Sequence, residues 1–467
     1  MFVRYRPPLR SGRPSKEQLT RRDRHGFLQQ AALGHLRNRQ QRAGSRYSPR
    51  LMDSQQTDTG SDPPLMSTAE RSAVYIGVAI VFAGLAPTTW LLEPTIGYLI
   101  SAGMVLPICY LGVISITSRG RVGVSRSATP VLGLFVAYWI GLVLQFILTG
   151  SVSIVPYIVL TPTLVVALFF FAAPIIIKAP RSFLRGFVGA VGALTVLGIV
   201  LLILEHTTSA SFPWTGNNVF GLPGYRIASI YANPNALGFV TAVASLSALW
   251  GVLETRRPTW GMAFVVVFVG LVLTDATMAL AAFLAATVTL FVLRAPALGV
   301  GFAVLSTVAA VGFLLTEVGL SYLTLIVERG GSERLEFWQV ALAHAAETPL
   351  VGAGFDHELQ THNSFVAIVL NLGYLVGGVY ILAILGAVGV AWRKARTGSP
   401  WNEFVLSMLV LLMFQMLTES FTLGGLSTES WLLATFVGVS LLYSADSDVS
   451  FPDSLHSRRP NSTGLKQ

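Results

Sequence analysis

Long apolar stretches recur along the chain from about residue 72 to residue 444. Each runs for roughly 17–25 residues, which is long enough to cross the ~30 Å hydrocarbon core of a bilayer as a helix. The short alternating stretches of a membrane β-barrel are not seen, so helices must form the spans. The pattern predicts an all-α polytopic integral membrane protein with about twelve transmembrane helices. We place them near residues 72–92, 95–115, 129–148, 153–177, 185–205, 235–253, 259–274, 277–293, 297–316, 364–387, 401–419 and 428–444.

The amino-acid composition agrees with this fold class. Hydrophobic residues make up 53% of the chain and charged residues 12%, whereas soluble domains carry about 25% charged residues. The composition therefore excludes an ordinary soluble protein. The single cysteine, Cys109, lies in the second apolar stretch, so the chain can form neither an internal disulfide framework nor a cysteine-based metal site.

Lysine and arginine fall almost entirely on one side of the predicted spans. With the N-terminus placed in the cytoplasm, all but three of the 32 basic residues lie on the cytoplasmic side. They occupy the two tails and the turns that follow the second, fourth, sixth, eighth and tenth predicted spans. Because positively charged loops stay cytoplasmic, the pattern predicts a multi-pass protein of the cytoplasmic membrane with both termini in the cytoplasm. The three exceptions are Arg226, Arg329 and Arg334.

Two polar tails flank the predicted membrane domain of residues 72–444. Residues 1–71 are rich in arginine and have no apolar core, which predicts a disordered basic cytoplasmic tail. Such a tail either attracts anionic membrane lipids, at about 1 kcal/mol per basic residue, or serves only as a solvated anchor. It carries no aromatic platform or motif for nucleic acid, so no nucleic-acid partner is expected. Residues 445–467 form the predicted C-terminal cytoplasmic tail.

Two of the predicted extracytoplasmic loops are much longer than the others. They cover residues 206–234 and 317–363, so chemistry on the outer face must be built from them. The second loop contains a stretch with the pattern of a short amphipathic helix. A titratable histidine beside a cation, at the boundary of water and bilayer, suits a polar reaction at a membrane surface. The two loops hold all three outer arginines and also His206, His344, His357 and His362.

The same two loops carry an ordered set of short motifs. The first loop ends with Tyr225-Arg226-Ile227, and residues 233–238 then read NPNALG. The second loop and the span after it carry, in order, RLEFW at 334–338, PLVGAG at 349–354, HNS at 362–364 and LGY at 372–374. Both sets resemble the motifs of the O-antigen ligase/O-antigen polymerase family. The resemblance covers about residues 200–390.

This resemblance implies a C-type glycosyltransferase with its active site on the extracytoplasmic side. Enzymes of the family move a glycan from a polyprenyl diphosphate, such as undecaprenyl diphosphate, to a hydroxyl acceptor in surface-polysaccharide biosynthesis. The acceptor is a lipid, the lipid A core, for a ligase and another glycan repeat unit for a polymerase, and both possibilities are open here. The family's residue roles imply that Arg226 and Arg334 contact the donor diphosphate and that His362 serves the acceptor. No metal or other cofactor is implied.

The residue types suit this chemistry. Cleavage of a sugar–diphosphate bond leaves negative charge on the phosphate, and arginine offers a permanently charged fork that matches phosphate oxygens. A neutral imidazole can take the acceptor's proton near neutral pH. Attack from the face opposite the diphosphate predicts inversion at the anomeric carbon. Because His362 begins a span, we favour it over the mid-loop histidines. Asn235, Trp338 and Asn363 lie within the same motifs and are expected to support the site.

Arg334 also has a purely structural interpretation. It can be an interfacial residue of the amphipathic helix, with Ser332 as the N-cap of that helix. The apolar face of this helix would then consist of Leu335, Trp338, Leu342 and Ala345.

Other motif residues have structural interpretations as well. Asn233 and Asn235 fit a cap and a turn before the next span. Asn363 and Ser364 fit the start of another helix. Gly352 and Gly354 are turn glycines in any case.

Two features of the sequence bear on cofactor and acceptor. Asp356-His357-Glu358 together with His362 supplies metal-binding side chains, but their spacing fits no standard zinc pattern. We therefore predict no metal site. The turn Thr274–Met278 lacks the arginine of a T-x-S-R element that many family members carry, which leaves ligase and polymerase equally open.

Two other classes of protein compete with a glycosyltransferase. A twelve-span secondary transporter of a small solute would place polar or charged groups near the bilayer midplane. The predicted spans hold few such groups, and Asp275 and Glu419 sit near span ends. A noncatalytic membrane scaffold would tolerate replacement of Arg226, Arg334 or His362.

Overall fold

The computed structural model describes residues 66–118, 122–208, 212, 226–317, 319–320, 332–355, 359 and 361–444. Several sequence predictions concern residues outside these ranges. They are the C-terminal tail, nearly all of the basic N-terminal tail, Arg329, and the metal-ligand types at Asp356-His357-Glu358.

Every apolar stretch predicted to span the membrane contains helix. The helices are α1 Thr68–Leu85, α2 Pro94–Gly103, α3 Val105–Ser118, α4 Thr129–Thr149, α5 Val155–Val165, α6 Ala173–Lys178, α7 Pro180–Thr207, α8 Pro234–Thr255, α9 Pro258–Leu273, α10 Thr277–Arg294, α11 Pro296–Leu314, α12 Ser332–Glu347, α13 Ser364–Ala395, α14 Pro400–Met416 and α15 Thr428–Leu441. A π-helical segment, Val166–Ala172, joins α5 to α6. Two short strands, β1 Val122–Val124 and β2 Leu442–Ser444, pair antiparallel.

Eight helical segments among the described residues are long and apolar enough to cross a membrane. The chain is therefore an α-helical, membrane-embedded protein, as its sequence predicted. Helices α9 and α14 are apolar but shorter. The exact number of about twelve spans stays a prediction.

The helix starts follow from local sequence. Proline occupies the first turn of many of these helices, including α7, α8 and α9, where its missing N–H costs no hydrogen bond. Helix α1 begins at Thr68, earlier than predicted, so the last residues of the expected N-terminal tail are helical. The reason is a capping box, in which Ser67 accepts from the Glu70 N–H and the Glu70 carboxylate accepts from the Ser67 N–H.

The connections between helices gather at two ends of the bundle. At one end, which we call the basic end, Glu254 pairs with Arg181 and Arg294, and β1 pairs with β2. At the opposite end, which we call the loop end, Thr89 pairs with Tyr231. The described residues of the turns predicted to be cytoplasmic thus lie at the basic end, and those of the long predicted outer loops lie at the loop end. Which end faces the cytoplasm stays a prediction from the positions of lysine and arginine.

Candidate functional site

His362 lies in a sharp turn at the loop end, immediately before α13. Its backbone has a φ of 45°, in the left-handed region that few residues other than glycine adopt. The side chain is 42% exposed. The turn therefore holds the backbone in an uncommon conformation while the imidazole stays accessible to a ligand, and such conformations cluster at functional sites.

The two residues after His362 fix this turn in place. Asn363 is the N-cap of α13, and its Oδ1 accepts from the N–H groups of Phe365 and Val366. Its Nδ2 donates to the carbonyl of Leu417 at 3.1 Å. The Ser364 hydroxyl donates to the carbonyl of Glu419 at 2.7 Å. The capping bonds of Asn363 and the position of Ser364 as first residue of α13 confirm their helix-start interpretation. Both side chains are buried, and each also binds the segment after α14.

Glu419 lies beside the imidazole of His362. Its Oε2 is 3.9 Å from Nδ1 of His362, which is beyond hydrogen-bonding distance but close enough for an electrostatic interaction. The glutamate side chain is 35% exposed, so water weakens this interaction. The pair therefore places a carboxylate and an accessible imidazole side by side at the loop end.

Arg334, in the first turn of α12, reaches the same segment after α14. Its Nη1 donates to the carbonyl of Thr418 at 3.4 Å. Trp338, one turn further along α12, donates from Nε1 to the carbonyl of Thr361 at 2.6 Å. The structure therefore brings Arg334, Trp338 and the His362 turn together around residues 418–419.

The faces of α12 differ from the expectation. Ala345 of the predicted apolar face is fully buried, as is Ala341, whereas Leu335 and Leu342 of that face are exposed. The buried and exposed apolar residues of α12 therefore do not share one face in the way the pattern predicted. The side chain of Ser332, the predicted N-cap, lies outside the described residues.

The glycine-rich segment 349–354 packs against α13 at the point where that helix is interrupted. Gly373 has a φ of 75° inside α13, and Gly352 and Gly354 also have positive φ. The Ala353 N–H donates to the Leu370 carbonyl, and the Tyr374 N–H donates to the Pro349 carbonyl. A Cβ on Gly373 would lie 2.6 Å from the Pro349 oxygen. These glycines are turn and close-approach residues, as predicted.

Arg226 lies in a second group of contacts at the loop end. Its Nε donates to the carbonyl of Thr274 at 2.8 Å, and its Nη2 donates to Oδ1 of Asn235, also at 2.8 Å. Asn233 caps α8 by accepting from the Asn235 N–H. The two asparagines thus have different roles: Asn233 caps α8, and Asn235 accepts a hydrogen bond that orients Arg226.

Both arginines are held at the carboxyl ends of helices. Thr274 follows α9, and Thr418 follows α14 just beyond its last turn. The carbonyls at such ends carry partial negative charge, so each guanidinium is electrostatically favoured there. The geometry gives both arginines a defined position, as a phosphate-binding side chain requires.

No described contact joins Arg226 directly to Arg334 or His362. The two groups are linked through packing instead. The ring of Phe239, on α8, lies 6.2 Å from the ring of Phe421, and Phe421 donates its N–H to Ser364. Contacts therefore bring Arg334 and His362 to consecutive residues of one segment, Thr418 and Glu419. Convergence of Arg226 with these two residues stays a prediction.

A small cavity adjoins Arg226. It has a volume of about 30 Å³, and its lining includes Trp90, Glu205 and Ser229. That space holds roughly one water molecule, so a diphosphate would have to lie on another side of the guanidinium. Nearby, burial raises the pKa of the Tyr231 phenol, and the Glu429 carboxylate raises it further, so this tyrosine stays neutral.

Sequence reasoning missed the segment after α14. Thr418, Glu419 and Ser420 contact the motif residues through side chains or carbonyls, yet they belong to none of the motifs. One signal in the sequence could have indicated this segment: Glu419 is an acidic residue at the end of a predicted span, in a chain with few acidic residues. Among the described residues, no group of three or more His, Cys, Asp or Glu side chains forms a possible metal site.

No protein-family model matches this chain, and no curated protein matches it. The resemblance to the O-antigen ligase/polymerase family therefore rests on the motifs themselves.

Proposed function

We propose that this chain transfers a polyprenyl-diphosphate-linked glycan to a hydroxyl acceptor at the extracytoplasmic face of the cytoplasmic membrane. The observation that carries the proposal is the pairing of Arg334 and His362 on consecutive residues, Thr418 and Glu419, of one segment. A phosphate-binding cation and a proton acceptor then lie at one accessible site. Arg226, at the same end of the bundle, supplies the second cation.

In the proposed reaction, neutral His362 accepts the proton of the acceptor hydroxyl. The hydroxyl oxygen attacks the anomeric carbon, and the bond from this carbon to the diphosphate oxygen breaks. The electron pair of that bond goes to the diphosphate, which leaves as the polyprenyl diphosphate. Arg226 and Arg334 stabilise its charge, and Glu419 stabilises the imidazolium. Such preorganised donors each contribute typically about 3–4 kcal/mol, or ~10²–10³ in rate.

The transporter alternative has less support from the described spans. The buried charged residues there, Asp275 and Glu403, lie at helix ends. A carrier of a charged solute would place such groups near the midplane. Ligase and polymerase activities both fit the proposed site, because they differ only in the acceptor.

The direct test measures binding of undecaprenyl diphosphate to the purified full-length protein by native mass spectrometry. Arg226→Lys and Arg334→Lys keep the positive charge but lose the planar fork, so we expect each to weaken binding at least about tenfold. Arg393→Lys, an exposed arginine at the basic end, is the matched control and should bind as wild type does. Equal binding by all four proteins would refute the diphosphate site.

Catalysis is tested with a polyprenyl-diphosphate-linked oligosaccharide as donor and release of polyprenyl diphosphate as the measured product. His362→Gln should leave donor binding unchanged and reduce release by about 10²-fold or more, since general-base catalysis typically contributes 10²–10⁴. Unchanged release by this variant would remove His362 from the proposed mechanism.

A further inference from the structure

A long apolar groove runs between α7 and α9. Its volume is about 870 Å³, which lies within the ~300–1,000 Å³ range of small-molecule pockets. Its lining is almost entirely apolar and includes Val188, Val196, Leu197, Val200, Trp260 and Val267. Several of these side chains are exposed, so the groove opens toward the surface that faces lipid in a membrane-embedded protein.

Glycines give the groove its depth. A Cβ built on Gly189 or Gly192 of α7 would meet no heavy atom within 4 Å, so the space beside them is open. Gly186 on the same helix is different, because its Cβ would lie 2.2 Å from the carbonyl oxygen of Val74. Helix packing against α1 therefore explains Gly186 but leaves Gly189 and Gly192 without a packing role.

The two charged residues that line the groove, Arg185 and Arg257, both lie at the basic end. Arg185 is near the start of α7, and Arg257 immediately precedes α9 without capping it through its side chain. Thr259, in the first turn of α9, adds a hydroxyl group. Two guanidinium groups beside a helix N-terminus form a favourable site for a phosphate group.

The groove is at least as long as one leaflet of a bilayer. At ~1.5 Å per residue, the wall on α9 rises about 15 Å from Arg257 to Val267, and the wall on α7 rises about 22 Å from Arg185 to Val200. One leaflet is half of the ~30 Å hydrocarbon core, or about 15 Å. An acyl chain that starts at the basic end can therefore lie in the groove down to the bilayer midplane.

We propose that this groove binds an anionic phospholipid of the leaflet at the basic end. Its phosphate contacts Arg185 and Arg257, and one acyl chain lies along Gly189 and Gly192. Basic pockets between transmembrane helices bind anionic lipid headgroups in this way. The predicted topology makes this leaflet the cytoplasmic one. The site is separate from the proposed glycan-transfer site at the loop end and does not depend on it.

One carboxylate competes for Arg185. Glu70 lies close enough to Arg185 for an electrostatic interaction, but its carboxylate accepts hydrogen bonds from the N–H and hydroxyl of Ser67. Two other acids lie at this end: Glu254 pairs with Arg181 and Arg294, and Glu403 lies close enough to Arg294 for an electrostatic interaction. We therefore expect the phosphate to interact more strongly with Arg257 than with Arg185, because Glu70 lies close to Arg185.

The test uses the purified, delipidated full-length protein and native mass spectrometry with phosphatidylglycerol, phosphatidylcholine or inorganic phosphate. Phosphatidylglycerol should bind at least about tenfold more tightly than phosphatidylcholine, a difference of about 1.4 kcal/mol. Inorganic phosphate should not displace it. Equal binding of the two lipids, or full displacement by inorganic phosphate, would overturn the proposal.

Two variants separate the headgroup contact from the chain contact. The double variant Arg185→Gln with Arg257→Gln should remove the preference for phosphatidylglycerol. Gly192→Leu should fill the groove and reduce binding of both lipids at least about tenfold. Leucine also favours a helix more than glycine does, so this variant should fold. Unchanged lipid binding in either variant would refute the assignment.

Matched controls lie elsewhere in the chain. Gly389→Leu places leucine at an α13 position where a Cβ likewise meets nothing within 4 Å. Arg393→Gln and Arg396→Gln together remove two exposed arginines from the basic end. Both controls should bind phosphatidylglycerol as wild type does. If Gly192→Leu instead converts a dimer to a monomer while lipid binding persists, the groove is an interface between two copies and the lipid proposal is wrong.

Discussion

Asn363 joins the start of α13 to the segment after α14, directly beside His362. Its side chain accepts two helix-capping hydrogen bonds and donates a third to the Leu417 carbonyl. Replacement of an asparagine cap by alanine costs typically about 1 kcal/mol, and loss of an ordinary hydrogen bond costs about 1 kcal/mol. Asn363→Ala should therefore destabilise the folded protein by about 2 kcal/mol.

Asn363→Ser separates the two contributions. Serine retains a capping oxygen but is too short to reach Leu417, so this variant should lose about 1 kcal/mol. Thermal unfolding in detergent, followed by tryptophan fluorescence, should give melting temperatures that fall from wild type to the serine variant and again to the alanine variant. The total decrease should be on the order of 5 °C, scaled from large soluble domains.

Asn402→Ala is the matched control, because Asn402 lies in the first turn of α14 and is not its cap. It should melt within about 1 °C of wild type, as substitutions away from special features do. Asn363 does not have these two roles if Asn363→Ala has the same melting temperature as Asn402→Ala, or if Asn363→Ser has a lower melting temperature than Asn363→Ala. The activity of the folded fraction is a second measurement, and it should fall with the same ordering because Asn363 positions the His362 turn.

Three further predictions concern the same end of the bundle. Gly373→Ala should lower the melting temperature more than Gly354→Ala, because both have positive φ but only the Cβ on Gly373 would approach a backbone oxygen; equal losses would refute the steric argument. Glu419→Gln should reduce product release by about two- to fivefold, the value of an exposed ion pair with His362, and a larger loss would indicate a direct role in the chemistry. Trp338→Phe should lower the melting temperature by a few degrees, and an unchanged melting curve would contradict the hydrogen bond from α12 to the His362 turn.

Much of the fold followed from the apolar pattern, for physical reasons. A span must bury about 20 apolar residues without polar interruption, so helices such as α4, α8 and α10 were located nearly to the residue. Proline in the first turn also marked where several helices begin. The early start of α1 was missed because a capping box extends a helix into polar sequence that hydropathy alone does not register.

The candidate site was predictable only in part. Local signals located the caps at Asn233 and Asn363, since capping depends on residues within one turn. The contacts of Glu419 and Thr418 were not predictable in this way, because they join segments separated by more than fifty residues along the chain. Such pairings depend on how helices pack, and an apolar helix carries little information in its sequence about which neighbour it contacts.

The His362-Asn363-Ser364 triplet separates a structural role from a chemical one within a single turn. Asn363 and Ser364 are buried and hold the segment after α14, whereas His362 is turned outward by its positive φ and faces Glu419. A strained, accessible histidine beside buried neighbours suits the reacting role that we propose for His362, because such backbone conformations cluster at functional sites. Replacement of Asn363 or Ser364 should therefore lower stability and, through the His362 turn, activity, whereas replacement of His362 should lower activity alone.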